Sequence, residues 1–503
     1  MFSIDQLHTL VQTLTKSEKR YFKLVCSLQD GDKAYLLLFD LLENQLEGGG
    51  ALYEVLEKKF PGSSIEPVRK HLYRVLMKAL RLYECEKTTE NKLASLMQDA
   101  RILFAKGLSE LGFDQIEKTK RLAMRNEKHL YYLMAARLEL QQLVRIQFSA
   151  VDETLLLRKQ QQWQTIMQRE QTSHQHSALY EILLCRYWKN GLVRNLGEQT
   201  RLNDLLLEEH QIVSRSQQKN SFDAQRLHLH FQSVYFLMTN DSEGSLKAFY
   251  DLHNLFQRHQ DLWTDTPIYY IHLLDGILTD LRGLQRYTDM DYFLDQLSAL
   301  TILPEGVSLQ ARYLTLLHRL ARLNDTGQTE NALVLIQSVT PVLERELPGL
   351  PANVQSLVRL SIARTYRDAG KPTMALKQVN AVLNDKLTAG RTTVQSQLWY
   401  NQARLLNLMV HTDLGNLDYL RYELRSVERK LKADKKLYRV ERAMLAYLKG
   451  YLNGKPDYSF IPTVQQLVDE PTERQLVLAL GLTRWAAENC RRAGVETLSQ
   501  AAS

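Results

Sequence analysis

Residues 357–383 read LVRLSIARTYRDAGKPTMALKQVNAVL, a pattern of two amphipathic helices joined by a tight turn. Apolar residues recur at three- and four-residue steps along the first helix, which gathers them on one face: Val354, Leu357, Val358, Ile362, Thr365, Tyr366 and Ala369. Gly370 can adopt the left-handed conformation that ends a helix, and Pro372 suits the first turn of the next one. The second apolar face consists of Ala375, Leu376, Val379, Val382 and Leu383. Such a hairpin buries its apolar faces only against neighbours of the same kind, which predicts a helical repeat array.

The same helical periodicity continues through most of the chain, and no alternating apolar and polar run of useful length predicts a strand. The predicted fold is therefore all-α. We predict an N-terminal helical domain at 1–87, an array of divergent helical hairpins at 88–300, and more regular repeats at 301–503. A last helix at Glu473–Arg492 is expected to close the array as a cap with a polar outer side. The polar stretch QREQTSHQHS at 168–177 is a candidate loop.

The composition indicates a soluble globular protein, with 44% hydrophobic and 24% charged residues. The net charge of +7, from 64 basic and 57 acidic residues, is a mild excess that does not by itself indicate nucleic-acid binding. The N-terminal segment has neither the basic start nor the apolar core of a secretory signal. No window reaches the apolar length of a membrane span. We expect a cytoplasmic protein that does not associate with membranes.

Turn glycines at positions 327, 370 and 415 are 43 and 45 residues apart, and the central hairpin around Gly370 resembles a tetratricopeptide repeat. That family's pattern asks for Trp, Leu, Gly, Tyr, Ala, Phe and Pro at fixed offsets, with a period of about 34 residues. Those offsets hold Arg359, Ile362, Ala363, Tyr366, Ala375, Val379 and Leu387. Tyr366 and Ala375 match the Tyr and the Ala of the pattern outright, whereas the Trp and the final Pro are missing. The resemblance covers 310–431 best, and it implies a right-handed α-solenoid whose concave face binds a protein or peptide.

The N-terminal segments IDQLHTLVQTLTKSEKRYFKL and GDKAYLLLFDLL are similar to those of a group of bacterial proteins from Bacteroidota. Members of that group have a helical N-terminus followed by repeats. This resemblance implies an architecture and a bacterial source. It implies no chemistry.

Tetratricopeptide domains that clamp a C-terminal carboxylate place Lys and Asn four residues apart on the first helix of a repeat. The corresponding positions hold Leu360 and Arg364 in the central repeat, and Leu405 and Met409 in the next. The resemblance therefore does not imply a chaperone-tail receptor of that kind. Arg364 and Arg367 remain candidate partner-binding residues for acidic groups, and an ordinary exposed helix surface is the alternative.

A second function is conceivable at the predicted helix 65–84. Its basic residues Lys70, Arg74, Lys78 and Arg81 share one face, and with Ala51–Phe60 and the turn Pro61–Ser64 they would form a helix-turn-helix. Residues 1–87 nevertheless hold 13 basic and 12 acidic residues, a net charge of only +1. Because DNA binders neutralise phosphates with a basic surplus, a solvated helix face is favoured.

No catalytic or metal-binding motif stands out. His174 and His176, and separately His228 and His230, form H-x-H pairs, but residues two apart on a helix point about 200° apart. No Cys or acidic residue supplies an evident third ligand, and H-E-x-x-H is absent. We therefore predict no metal and no cofactor. The leading hypothesis is a non-enzymatic scaffold that binds a protein or peptide, and the alternative is a DNA-binding regulator whose repeats sense a partner.

Overall fold

The computed structural model is built from α-helices and one short 3-10 helix, and it has no strand among the residues it describes. The described residues are 3–27, 34–44, 53, 55–56, 59–60, 65–149, 151–193, 196–215, 221–264, 267–300, 305–384, 394–433 and 438–492. The prediction of an all-α protein is confirmed. Within these ranges, no helix has the length and apolar character needed to cross a bilayer.

The chain forms two compact units, residues 1–170 and 171–503. The division falls inside one long helix rather than in a linker. The division into 1–87, 88–300 and 301–503 stays a prediction.

In the first unit, four of the described helices share one apolar core, α1 (Ile4–Gln12), α2 (Lys16–Ser27), α3 (Ala34–Asn44) and α4 (Ile65–Glu84). The start of α2 is capped as the residue types predict, because Thr15 Oγ1 accepts from the Glu18 N–H at 3.2 Å and the Glu18 carboxylate accepts from the Thr15 N–H at 2.7 Å. Most of the predicted helix Ala51–Phe60 and the whole turn Pro61–Ser64 lie outside the described residues. The first half of the proposed helix-turn-helix is therefore not described.

Three helices of equal length follow, α5 (Thr89–Ala105), α6 (Ser109–Arg125) and α7 (His129–Arg145). Each packs against the next. The next helix, α8 (Glu153–Asn190), runs for 38 residues and includes the whole stretch 168–177. The prediction of a loop there is wrong, because Gln, Ser, Thr and His are tolerated in a helix and the stretch contains no Pro or Gly to stop it.

The second unit continues from the end of α8 with helices of unequal length. They are α9 (Leu196–Arg215), α10 (Phe222–Met238), α11 (Ser242–Arg258), α12 (Gln260–Trp263), α13 (Ile268–Gly283), α14 (Met290–Ala299), α15 (Glu305–Asp325), α16 (Thr329–Glu346), α17 (Ala352–Asp368), α18 (Pro372–Leu383), α19 (Val394–Asp413), α20 (Leu417–Ala433), α21 (Arg439–Leu452), α22 (Phe460–Leu467), α23 (Pro471–Leu480) and α24 (Leu482–Arg492). The 3-10 helix Leu347–Gly349 lies between α16 and α17.

The hairpin predicted around Gly370 is confirmed as α17 and α18. Gly370 has φ +68°, and Pro372 is the first residue of α18. The turn is closed by the Lys371 N–H, which donates to the Tyr366 carbonyl at 2.8 Å. This bond between residues five apart is the signature of the Schellman motif.

Among the described residues of the second unit, the same turn joins six pairs of consecutive helices. Its left-handed residues lie 39 to 45 residues apart and are Asn240, Gln285, Gly327, Gly370, Gly415 and Gly454. In each turn the following residue donates its N–H to a carbonyl five residues earlier. The register predicted from three glycines therefore extends further in both directions. Asn240 and Gln285 escape a search for glycine because they adopt a conformation that non-glycine residues rarely take.

Successive hairpins pack on one another, and their first helices α13, α15, α17 and α19 contact each other in that order. One buried apolar cluster runs from α10 into α19, and a second links α17 to α24. The predicted single helix Glu473–Arg492 is wrong, because Gly481 (φ +62°) divides it into α23 and α24. Instead of only closing an end, α23 packs against α13, α19 and α21.

Candidate functional site

A cleft of about 180 Å³ lies in the second unit, where α23 approaches the first helices of the hairpins. Its walls come from α13, α15, α17, α19, α21 and α23 and from the end of α8. The lining includes six leucine and tryptophan side chains, which are Leu192, Leu317, Leu357, Leu360, Trp399 and Leu476. Two guanidinium groups, those of Arg282 and Arg364, also line it. The cleft is therefore an apolar groove with fixed positive groups in its wall.

Arg364 lines the cleft, but its charge is neutralised by buried carboxylates. Its Nη1 donates to Asp325 Oδ1 at 2.7 Å, and its Nε lies 3.4 Å from Asp368 Oδ2. Arg282 pairs with the other oxygen of Asp325, with Nε donating at 2.7 Å. Burial works to raise the pKa of Asp325, but the charges and hydrogen bonds of the two arginines outweigh it and hold that pKa below its ordinary value.

The same two arginines fix α23 in place. Arg282 Nη2 donates to the Leu478 carbonyl at 3.1 Å, and Arg364 Nη1 donates to that same oxygen. The same carbonyl also accepts from the Gly481 N–H at 3.2 Å, so the two arginines add to the cap of α23 and tie its last turn to α13 and α17. At Gly481 a Cβ atom would lie 2.8 Å from Arg364 Nε, so only glycine allows this approach.

Arg367 does not line the cleft. Its side chain is buried, with Nε donating to Asp368 Oδ1 at 3.0 Å and Nη1 contacting Met409 Sδ at 3.2 Å. Of the two arginines predicted to bind a partner, the structure thus places Arg364 at the groove and Arg367 in the interior. Recognition of acidic groups by these residues stays a prediction, and their existing ion pairs do not favour it.

The basic residues of α4 lie on its exposed side. Lys70 Nζ is 2.9 Å from Glu66 Oε1, one turn earlier on the same helix. Arg74, Lys78 and Arg81 are exposed and form no ion pair with any described residue. The opposite side of α4, with Leu72, Val75, Leu76 and Ala79, is buried as the sequence predicts.

The two H-x-H pairs contribute one histidine each to a cluster in the second unit. His176 on α8 and His228 on α10 both lie against Glu209 of α9, with His176 Nε2 at 2.8 Å and His228 Nδ1 at 2.6 Å from Glu209 Oε1. Burial works to raise the pKa of Glu209, but the hydrogen bonds from the two histidines outweigh it and hold that pKa at about 2. The statement that no acidic residue lies near these pairs is wrong, because Glu209 reaches both from a different helix.

The other histidine of each pair, the one that does not contact Glu209, faces elsewhere, as the angle between helix positions predicts. His174 is exposed, whereas His230 is buried. Burial, together with the charges of Arg226 and His272, lowers the pKa of His230 to about 3, so this ring is neutral.

The cleft residues come from helices far apart in the chain, and no local pattern marks them. Leu357 belongs to the apolar face predicted for the first helix of the central hairpin. No sequence pattern marks Trp399 or Leu476. Comparison of the chain with models of known protein families and with curated proteins gives no match.

Proposed function

We propose that this protein is a non-enzymatic, cytoplasmic scaffold, an α-solenoid of tetratricopeptide-like hairpins that binds a peptide segment in its concave groove. The proposal is supported by the recurrence of one turn geometry through six helix pairs that pack on one another in chain order. Repeat arrays of this kind form extended binding surfaces along their inner helices. The observation that carries the proposal is the apolar cleft between those first helices and α23.

The shape of the cleft indicates which part of a partner it would hold. Small-molecule pockets usually enclose about 300–1,000 Å³, and this cleft is smaller. It suits one or two large apolar side chains of a peptide, the kind of anchor that dominates many interfaces. An acidic anchor is disfavoured because Arg282 and Arg364 already hold Asp325.

Replacing Leu357 with aspartate is expected to weaken peptide binding by about 10-fold or more, because the carboxylate would be desolvated against an apolar ligand. Peptides can be selected on the immobilised full-length protein from a random library. Their affinities for wild type and Leu357→Asp would then be measured by fluorescence anisotropy.

Val334→Asp provides a matched control, since Val334 is a well-exposed apolar residue of α16 outside the cleft. This variant is expected to bind the selected peptides as wild type does. A library that yields no binding peptide, or peptides that bind Leu357→Asp and wild type equally, would contradict the proposal.

A second candidate function is DNA binding through α4. It is favoured by Arg74, Lys78 and Arg81, which are exposed and have no acidic partner among the described residues. Lys70, with its partner Glu66, lies on the same face.

If α4 contacts phosphates, the affinity of the full-length protein for a DNA duplex must fall steeply as the salt concentration rises. Each phosphate contact that a substitution removes must reduce the slope of log K against log salt concentration by about 0.9. The measurement compares wild type with Arg74→Ala and Lys78→Ala. Arg121→Ala, at an exposed arginine of α6, serves as the control. Absence of duplex binding, or a slope that the α4 variants do not change, removes this candidate.

A further inference from the structure

Three helices of the second unit bring two imidazoles and one carboxylate together. The donor atoms of His176, Glu209 and His228 all lie within 4.8 Å of one another. The helices that carry them are held by an apolar cluster contributed by α8, α9 and α10, with Leu179, Leu183, Leu202, Leu205, Phe231, Val234 and Met238 as its buried members. The three polar side chains are therefore fixed by packed helices rather than by a loop.

The carboxylate in this cluster is buried. Glu209 is only 2% exposed, and within the described part of the chain its ion-pair partners are the two histidines, with no lysine or arginine. Buried carboxylates are ordinarily paired with a cation or coordinate a metal ion. No lysine or arginine among the described residues balances the charge of Glu209, so its two imidazole neighbours or a bound cation must stabilise it.

We propose that His176, Glu209 and His228 form a binding site for a divalent transition-metal ion, with Zn²⁺ as the ion that best matches the ligands. Two imidazole nitrogens and one carboxylate oxygen are a ligand set that zinc accepts, whereas Mg²⁺ and Ca²⁺ prefer oxygen ligands. His176 would bind through Nε2 and His228 through Nδ1, the atoms that face Glu209.

The three ligand atoms, which lie within 4.8 Å of one another, must shift to admit the ion. Zinc bonds of about 2.0–2.1 Å at tetrahedral angles separate ligand atoms by about 3.3 Å. The present separations from Glu209 Oε1 are 2.8 Å and 2.6 Å. The His228 side chain is 31% exposed and can move outward toward solvent, while the other two ligands stay in the interior.

Three protein ligands leave a fourth position, which in zinc sites of this kind is taken by water or a small ligand. Binding would also tie α8, α9 and α10 through one ion and so stabilise their packing. This inference is independent of peptide binding in the cleft, because none of the three residues lines it.

Zinc chloride titrated into the chelator-treated full-length protein, in competition with a chromophoric chelator, tests the proposal. One equivalent per chain is expected to bind, and Mg²⁺ is not expected to compete. Cobalt chloride provides an independent spectroscopic readout, because four-coordinate Co²⁺ with histidine and carboxylate ligands absorbs visible light much more strongly than the hydrated ion.

His228→Ala is expected to reduce zinc affinity by at least about 100-fold, since loss of even an outer-shell partner costs about 10–100-fold. This variant alters the most exposed ligand, and Glu209→Gln provides a second test that keeps the side-chain shape. His174→Ala, at the exposed histidine that forms an H-x-H pair with His176, is the control and is expected to bind as wild type does. Zinc is expected to raise the melting temperature of wild type and His174→Ala but not of His228→Ala.

A purely structural hydrogen-bond network would make the variants less stable without any saturable metal binding to wild type. Absence of one-equivalent binding to wild type therefore overturns the proposal. Equal zinc affinity in wild type, His228→Ala and Glu209→Gln would overturn it too, because the ion would then bind elsewhere.

Discussion

Asp325→Ala is expected to lower the free energy of unfolding of the second unit by about 3–5 kcal/mol, the usual cost of removing one partner from a buried ion pair. The Asp325 side chain is 1% exposed, and it pairs with Arg282 and Arg364 at 2.7 Å each. Without it, the buried Arg364 keeps its bond to the Leu478 carbonyl, and the longer contact with Asp368 is the ion pair that remains among the described residues. Urea unfolding followed by circular dichroism measures the change.

The matched control is Asp291→Ala, which breaks an exposed ion pair with Arg322. Exposed pairs contribute about 0–1 kcal/mol, so this variant should remain close to wild type. Equal losses in Asp325→Ala and Asp291→Ala would contradict the buried network.

The contribution of Asp325 also has a defined pH dependence. Because its pKa is lowered in the folded state, its stabilisation is complete above the unfolded value of about 4 and is lost as the pH falls through the folded value. The difference in the free energy of unfolding between wild type and Asp325→Ala is therefore expected to become smaller in strong acid.

Trp485→Ala is the second change with a large expected effect, a loss of about 3–5 kcal/mol in the free energy of unfolding. Trp485 is a fully buried side chain of α24, and its ring packs edge-on against Tyr447 and Phe460, with centroids 5.8 Å and 6.3 Å away. Alanine would leave a cavity where α24 joins α21 and α22. The same urea unfolding experiment measures the loss.

Trp485→Phe separates lost packing from lost hydrogen bonding. The Trp485 Nε1 has no hydrogen-bond partner among the described residues, and an unsatisfied buried donor costs about 1–3 kcal/mol. Phenylalanine removes this donor and keeps most of the ring contact, so its stability is expected to lie within about 1 kcal/mol of wild type. A phenylalanine variant as unstable as the alanine variant would show that the interpretation is wrong.

Local features of this fold could be predicted because they depend on a few adjacent residues. The apolar faces of the hairpin at 352–383, the turn at Gly370 and the cap at Thr15 all follow from side-chain type and spacing. The turns at Asn240 and Gln285 have the same hydrogen bond between residues five apart as the turn at Gly370, but their residue types do not by themselves predict a left-handed conformation. Packing on both sides decides the backbone there.

The candidate sites depend on contacts between distant parts of the chain, and sequence patterns do not show these. Arg364 has the residue type of an anion-binding group, yet its partner Asp325 precedes it by 39 residues and the Leu478 carbonyl follows it by 114. The His176–Glu209 contact spans 33 residues. Helix geometry correctly predicts that the two histidines of each H-x-H pair point in different directions. It does not predict that one histidine from each pair contacts Glu209, because that contact depends on how the three helices pack.

The position of α23 along the chain has a consequence for biosynthesis. The helices α13 and α17, whose Arg282 and Arg364 bond to α23, are translated about 100 residues or more before Pro471. Until α23 has left the ribosome, Arg282 and Arg364 lack the Leu478 carbonyl, and the groove lacks one wall. If the groove binds a peptide as proposed, binding can begin only after α23 has docked, and variants that slow docking are expected to reduce the yield of folded protein rather than its affinity for that peptide.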